Sequence, residues 1–109
     1  MSDRPKIVCI CGSSRFVGEC SVKAWELNKQ GIIALHMPVL PQWYPNVKEH
    51  HMAEEEGVAA QLDALWLKQI QLCDEVFVMN INGYIGERTA IEIAYAKSIG
   101  KPVSYEMIS

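Results

Sequence analysis

A lone carboxylate among apolar neighbours is the strongest chemical signal in this chain. Glu92 lies in Ala90-Ile91-Glu92-Ile93-Ala94-Tyr95-Ala96, where the other six residues are apolar. Burial there raises the pKa of a carboxyl unless it is hydrogen-bonded, which suits a nucleophile or an acid–base group. The alternative is an exposed Glu92 paired with Arg88 one helical turn before it. Sequence alone leaves both open.

Two further segments carry the residue types of a binding site. Gly12-Ser13-Ser14-Arg15 follows an apolar run and opens a helical one. Glycine allows a close backbone approach, and the serines can cap the helix and donate hydrogen bonds. The helix start favours an anion, and Arg15 adds a charged fork. The bland alternative is a serine cap beside a solvated arginine. Asn80-Ile81-Asn82-Gly83-Tyr84-Ile85-Gly86 supplies amides, two glycines and an aromatic face with a hydroxyl, fitting a sugar or base. The candidate site is therefore Glu92 as the catalytic group, with Gly12, Ser13, Ser14, Arg15, Asn80, Asn82, Gly83 and Tyr84 as ligand contacts.

Other chemistry is weaker. His50 and His51, with Glu49 and the run Glu54-Glu55-Glu56, read as a solvated acidic lid rather than a metal cluster. Cys9, Cys11, Cys20 and Cys73 lack disulfide-framework or zinc-finger spacing and read as small buried hydrophobes. Neither a Rossmann nor a Walker fingerprint is present. No cofactor and no metal are expected. Trp25 and Trp66 fall at helical core spacing and read as packing residues. Trp43 and Tyr44, between Pro41 and Pro45, are better placed to cover a ligand or meet a subunit.

The elements that must position these residues follow from periodicity. Lys6 to Cys11 is a continuous apolar run, the mark of a strand buried on both faces of a parallel sheet. Phe16 to Gln30 has helical spacing with Gly31 as its stop, and Ile32 to Leu35 is a second strand. Residues 36–57 hold three prolines and no regular pattern, which marks a long loop or lid, with a short helix starting near Lys48. Val58, Leu62, Leu65, Trp66 and Ile70 make one helical face. Glu75 to Met79 is a third strand, Glu87 to Ile99 a helix stopped by Gly100, and Pro102 to Tyr105 a last short strand. The order β-α-β-loop-α-β-α-β predicts an α/β domain with a parallel sheet of about four strands and helices on both faces. Ligands of such sheets bind at the carboxyl ends of the strands. That edge carries Gly12 to Arg15, His36 onward, and Asn80 to Gly86.

Bulk properties bound the answer. The chain has 109 residues, enough for one domain, 1–109, and one core. Half of its residues are hydrophobic and 21% are charged, an ordinary globular balance. A net charge of −3 argues against a nucleic-acid polymer as partner, though a local phosphate site is compatible with it. No apolar run approaches the ~20 residues of a membrane helix, and no leader precedes the first strand. The expected location is cytoplasmic, with no membrane partner.

Several of these segments together resemble the nucleoside 2-deoxyribosyltransferase-like superfamily. The resemblance rests on Lys6 to Phe16, on Cys73 to Asn80, on Gly83 to Ala96 and on Gly100-Lys101-Pro102-Val103. It covers most of the chain outside residues 36–57 and is greatest to small bacterial and phage members; the related 2′-deoxynucleoside 5′-phosphate N-hydrolases share the same layout. It implies a flavodoxin-like three-layer sandwich and an N-glycosidase or glycosyltransferase acting on a nucleoside or nucleoside 5′-phosphate. In that family the glutamate at the position of Glu92 attacks C1′ and expels the base. Gly12, Ser13 and Arg15 would hold the 5′-phosphate. The resemblance also implies a homodimer or higher oligomer. The family's aspartate that orients the sugar or protonates the base falls at Trp66, with Asp63 one turn earlier. Gly86 replaces a polar residue six before the nucleophile. A non-catalytic nucleotide binder, sensor or sponge, on the same fold is the alternative.

Overall fold

The computed structural model describes residues 4–45 and 52–106. Four parallel strands, β1 (Ile7–Cys11), β2 (Ile33–Leu35), β3 (Glu75–Val78) and β4 (Val103–Tyr105), form one sheet in the order β2-β1-β3-β4. Helices α1 (Val17–Lys29), α3 (Ala59–Leu72) and α4 (Glu87–Ser98) pack on it, and a four-residue helix, α2 (Met52–Glu55), precedes α3. Lys48 itself lies outside the described residues. The strand order is that of a flavodoxin-like three-layer sandwich.

Connection handedness distributes the helices. Right-handed crossovers put a helix that leads leftward from β1 on one face, and helices that lead rightward to β3 and β4 on the other. Accordingly α1 packs alone, with Cys20, Ala24 and Leu27 against Val8, Ile10 and Met79. Ile70, Cys73, Ile93 and Ala96 from the α3–α4 side cover Cys9, Cys11, Val76 and Val78 on the opposite face. β1 is thus buried on both sides, which is why its sequence does not alternate. Ile70 is wholly buried, and burying a side chain of that size stabilises the fold by roughly 2–3 kcal/mol.

Both expected helix stops are Schellman turns. After α1, Gly31 takes φ +80° while Gly31 N donates to Asn28 O and Ile32 N to Leu27 O, each at 3.0 Å. After α4, Gly100 takes φ +76° while its N–H donates to Lys97 O and Lys101 N to Ala96 O. At the amino edge of the sheet, Asp74 extends the β1–β3 pairing. Its backbone N–H donates to Ile7 O, and its carboxylate accepts the Ile7 N–H at 2.8 Å and two bonds from Arg4. The Arg4 hydrogen bonds hold that carboxyl well below the usual range, with the Ile7 N–H adding to the effect.

Three details differ from the periodic reading. A 3-10 turn, Ser14–Phe16, precedes α1, so the helix starts at Val17. Trp25 is exposed, not a packing residue, and Lys29 lies over its ring at 5.8 Å. On α3, Leu67 packs against the core while Leu65 is exposed. Helical spacing marks an apolar stripe but does not say which edge of it turns to the sheet.

Gly12 shows how tightly β1 and β3 meet at their carboxyl ends. A Cβ at Gly12 would stand 3.2 Å from Met79 Cβ and 3.3 Å from Met79 O. Met79 N also donates to Cys11 O at 2.8 Å, which holds that backbone in place. Gly12→Ala is expected to destabilise the protein by about 1–3 kcal/mol through overpacking. Chemical denaturation of the variant against the parent checks this.

Candidate functional site

The strand order reverses between β1 and β3, and a cleft of about 890 Å³ opens over their carboxyl ends. Its walls come from the turn after β1, the segment after β2, α2 and the residues that follow it, α3, the loop after β3 and the first turns of α4. Gly12, Ser13, Ser14, Arg15, Tyr84 and Glu92 all line it. The nucleophile candidate and the anion-binding candidate therefore face one space.

Glu92 is only 7% exposed, so the buried alternative holds. Arg88, its expected partner in the exposed alternative, pairs with Asp63 on α3 at 3.4 Å. Burial pushes the Glu92 carboxyl up to about 7; the Cys11 thiol and Arg88 pull it down, and Asp63 pushes it up. Among the described residues Glu92 makes no salt bridge. A carboxyl in this state loses its proton near neutral pH and then meets the cleft as a poorly solvated anion, the condition that favours nucleophilic attack.

The two halves of the site are joined by Tyr84. The Arg15 guanidinium lies over its ring at 4.6 Å, and Phe16 meets that ring edge-on at 5.8 Å. A Cβ at Gly86 would stand in ordinary contact, 3.4 Å, with the Tyr84 hydroxyl. Ser13 caps the 3-10 turn, its Oγ accepting the Arg15 N–H at 3.3 Å. Neither Phe16 nor Gly86, the N-caps of α1 and α4, offers a side-chain cap, but the Val17 N–H donates to Ser14 O, and Glu19 and Glu87 stand in the first turns of α1 and α4.

The structure redistributes the remaining expected contacts. Asn80, Asn82 and Gly83 do not line the cleft. Asn80 is buried and its backbone carbonyl accepts the Gly83 N–H at 2.9 Å. Asn82 and Gly83 take φ +54° and +79°, left-handed values that asparagine and glycine tolerate best, so their residue types are accounted for by a turn that presents Tyr84. Gly12 serves the β1–β3 packing described above as well as the cleft.

Trp66 corrects the sequence reading in the other direction. Expected as packing, it lines the cleft together with Asp63, one turn away on α3. His36, at the end of β2, also lines it, and its Nδ1 is buried without a hydrogen-bond partner. His36 has a sequence signal, since it follows a strand at the ligand edge. The spacing of Trp66 gives none, because it matches the core stripe; only the resemblance marks that position. In residues 36–57, Tyr44 lines the cleft and donates to Glu56 at 2.9 Å, whereas Trp43 is 81% exposed and outside the wall.

The four cysteines are buried free thiols. A hydrogen bond with Cys9, reinforced by burial, pushes the Cys11 thiol far up, and burial pushes Cys20 up to about 11, so neither is a ready thiolate. Among the described residues no group of three or more His, Cys, Asp or Glu could hold a metal ion, and no helix is long and apolar enough to cross a membrane. His50, His51 and Glu49 lie outside the described residues.

Glu92 should make stability depend on pH. Its folded pKa is raised, so the native state holds its proton longer than the unfolded chain does. Stability from this group is full below about pH 4.5 and is lost as pH rises to about 7. At ~1.4 kcal/mol per pH unit the loss is roughly 3 kcal/mol. Denaturant titrations at pH 5 and pH 8 should show it in the parent protein, and Glu92→Gln should flatten the difference.

Comparison of the chain with protein-family models, with curated proteins and with solved structures finds no match.

Proposed function

We propose that the cleft cleaves or transfers the N-glycosidic bond of a nucleoside 5′-phosphate, with Glu92 as the nucleophile. The observation that carries this reading is a buried carboxyl, pushed up to about 7, lining the same cleft as an arginine stacked on Tyr84. The Glu92 carboxylate attacks the anomeric carbon, the carbon–nitrogen bond breaks, and a glycosyl ester forms. Water or an acceptor base then resolves the ester. Arg15 and the Ser13-Ser14 turn before it hold the phosphate, and Tyr84 offers a face to the sugar or base. The same features carry the resemblance to the deoxyribosyltransferase-like superfamily.

A second reading, a nucleotide-binding module without turnover, draws on Trp66. An indole in the cleft wall suits stacking on a base, and it stands where the resemblance places an acid.

One assay separates the two. The protein is incubated with nucleosides and their 5′-monophosphates, and free base is followed by chromatography. The expected result is release from 5′-phosphates that disappears in Glu92→Ala. Arg15→Ala should raise KM for the phosphates by roughly 10–100-fold, the value of a charge-assisted hydrogen bond, and leave nucleosides little changed. Ligand-induced thermal stabilisation that persists in Glu92→Ala, with no base released by either protein, selects the binding module.

A further inference from the structure

The charges around Glu92 select among N-glycosides. Five carboxylates, Glu54, Glu56, Asp63, Glu87 and Glu92, line the cleft against two arginines, Arg15 and Arg88. Arg88 is occupied by Asp63, which leaves Arg15 to meet an anion. One phosphate is therefore accommodated at the Arg15 end, while the rest of the wall is negative and favours positive charge in the ligand. Trp66 adds the side-chain face that attracts a cation best.

The chemistry points the same way. A neutral purine or pyrimidine leaves only when its ring nitrogen is protonated or otherwise relieved of charge, and a positioned acid typically contributes 10²–10⁴-fold to such a step. Of the groups on the wall that could give that proton, Asp63 is paired with Arg88 and Glu56 accepts a hydrogen bond from Tyr44; His36, Glu54 and Glu87 are the ones a bell-shaped pH profile would reveal. A base that already carries a positive charge needs no acid.

We propose that the substrate of this site is a 5′-phosphorylated nucleoside whose base bears a fixed positive charge, an N-glycosyl pyridinium or an N7-alkylated purine. The proposal rests on Glu92 as the nucleophile and adds the nature of the leaving group. The carboxylate forms a bond to the anomeric carbon as the carbon–nitrogen bond breaks. The released electron pair neutralises the ring, and the base departs without receiving a proton. Water then cleaves the glycosyl ester, giving the sugar phosphate, the free Glu92 carboxylate and one proton to solvent. No oxidant or cofactor enters the balance.

The test compares nicotinamide mononucleotide, 7-methylguanosine 5′-monophosphate, GMP and dGMP, with released base measured by chromatography from pH 5.5 to 8.5. At least one cationic substrate should exceed GMP and dGMP by about 100-fold or more in kcat/KM, the value of the acid it does not need. The comparison of nicotinamide with 7-methylguanine release tells the two sources apart. For the cationic substrate, kcat/KM should rise through neutral pH and then stay level. Trp66→Leu should raise its KM, with Trp66→Phe retaining most of the affinity as a check on folding. Equal or faster release from GMP or dGMP, or a bell-shaped profile that reveals a required proton donor, overturns the leaving-group proposal and leaves the nucleophile standing. Release from none of the four, together with none from the wider nucleoside panel, overturns both.

Discussion

The pairing of β1 directly with β3, with β2 and β4 outside them, is the constraint from which the site follows. It sends the chain left after the first strand and right after the second and third, so the connections part at the carboxyl ends of β1 and β3. The gap between them is the cleft. The same pairing buries β1 on both faces and points Cys9 and Cys11 toward α3 and α4. Glu92, on the first turns of α4, meets Cys11 there and is kept from water.

The backbone was largely legible because its signals are local. Continuous apolar runs marked the strands, Gly31 and Gly100 marked the ends of their helices, and alternation of strand and helix marked the parallel sheet. Rotation of a helix about its axis was less legible. The spacing of Trp25 and Trp66 is equally compatible with facing the sheet, the cleft or solvent. The choice is made by which neighbouring element covers that side, and among the described residues Trp25 stays exposed on α1.

At the site, legibility depended on how many jobs a residue type can do. Glu92 stood out because a carboxylate in an apolar run has few structural uses, but its buried and exposed placements were equally open. Arg15 stood out because the turn after the first strand has a fixed place at the carboxyl edge. Asn80, Asn82 and Gly83 stand outside the cleft wall; asparagine and glycine serve turns as well as ligands. The Asp63–Arg88 pair joins two helices far apart in sequence, and no local pattern reports it. That pair is also what frees Glu92 from Arg88 as a direct partner.

Stacking Arg15 on Tyr84 has an entropic side. An arginine on a surface samples many rotamers, and an incoming anion must stop that motion before it gains the full hydrogen bond. Here the ring already occupies one face of the guanidinium, and Phe16 braces the ring from its edge. The planar fork keeps its N–H edge available while its torsions are restricted in advance. The ordering is therefore done during folding, by the packing of two loops that the chain brings together from 69 residues apart. Any looseness in the turn that presents Tyr84 would be felt as a less fixed guanidinium at Arg15, although the two residues stand on different loops.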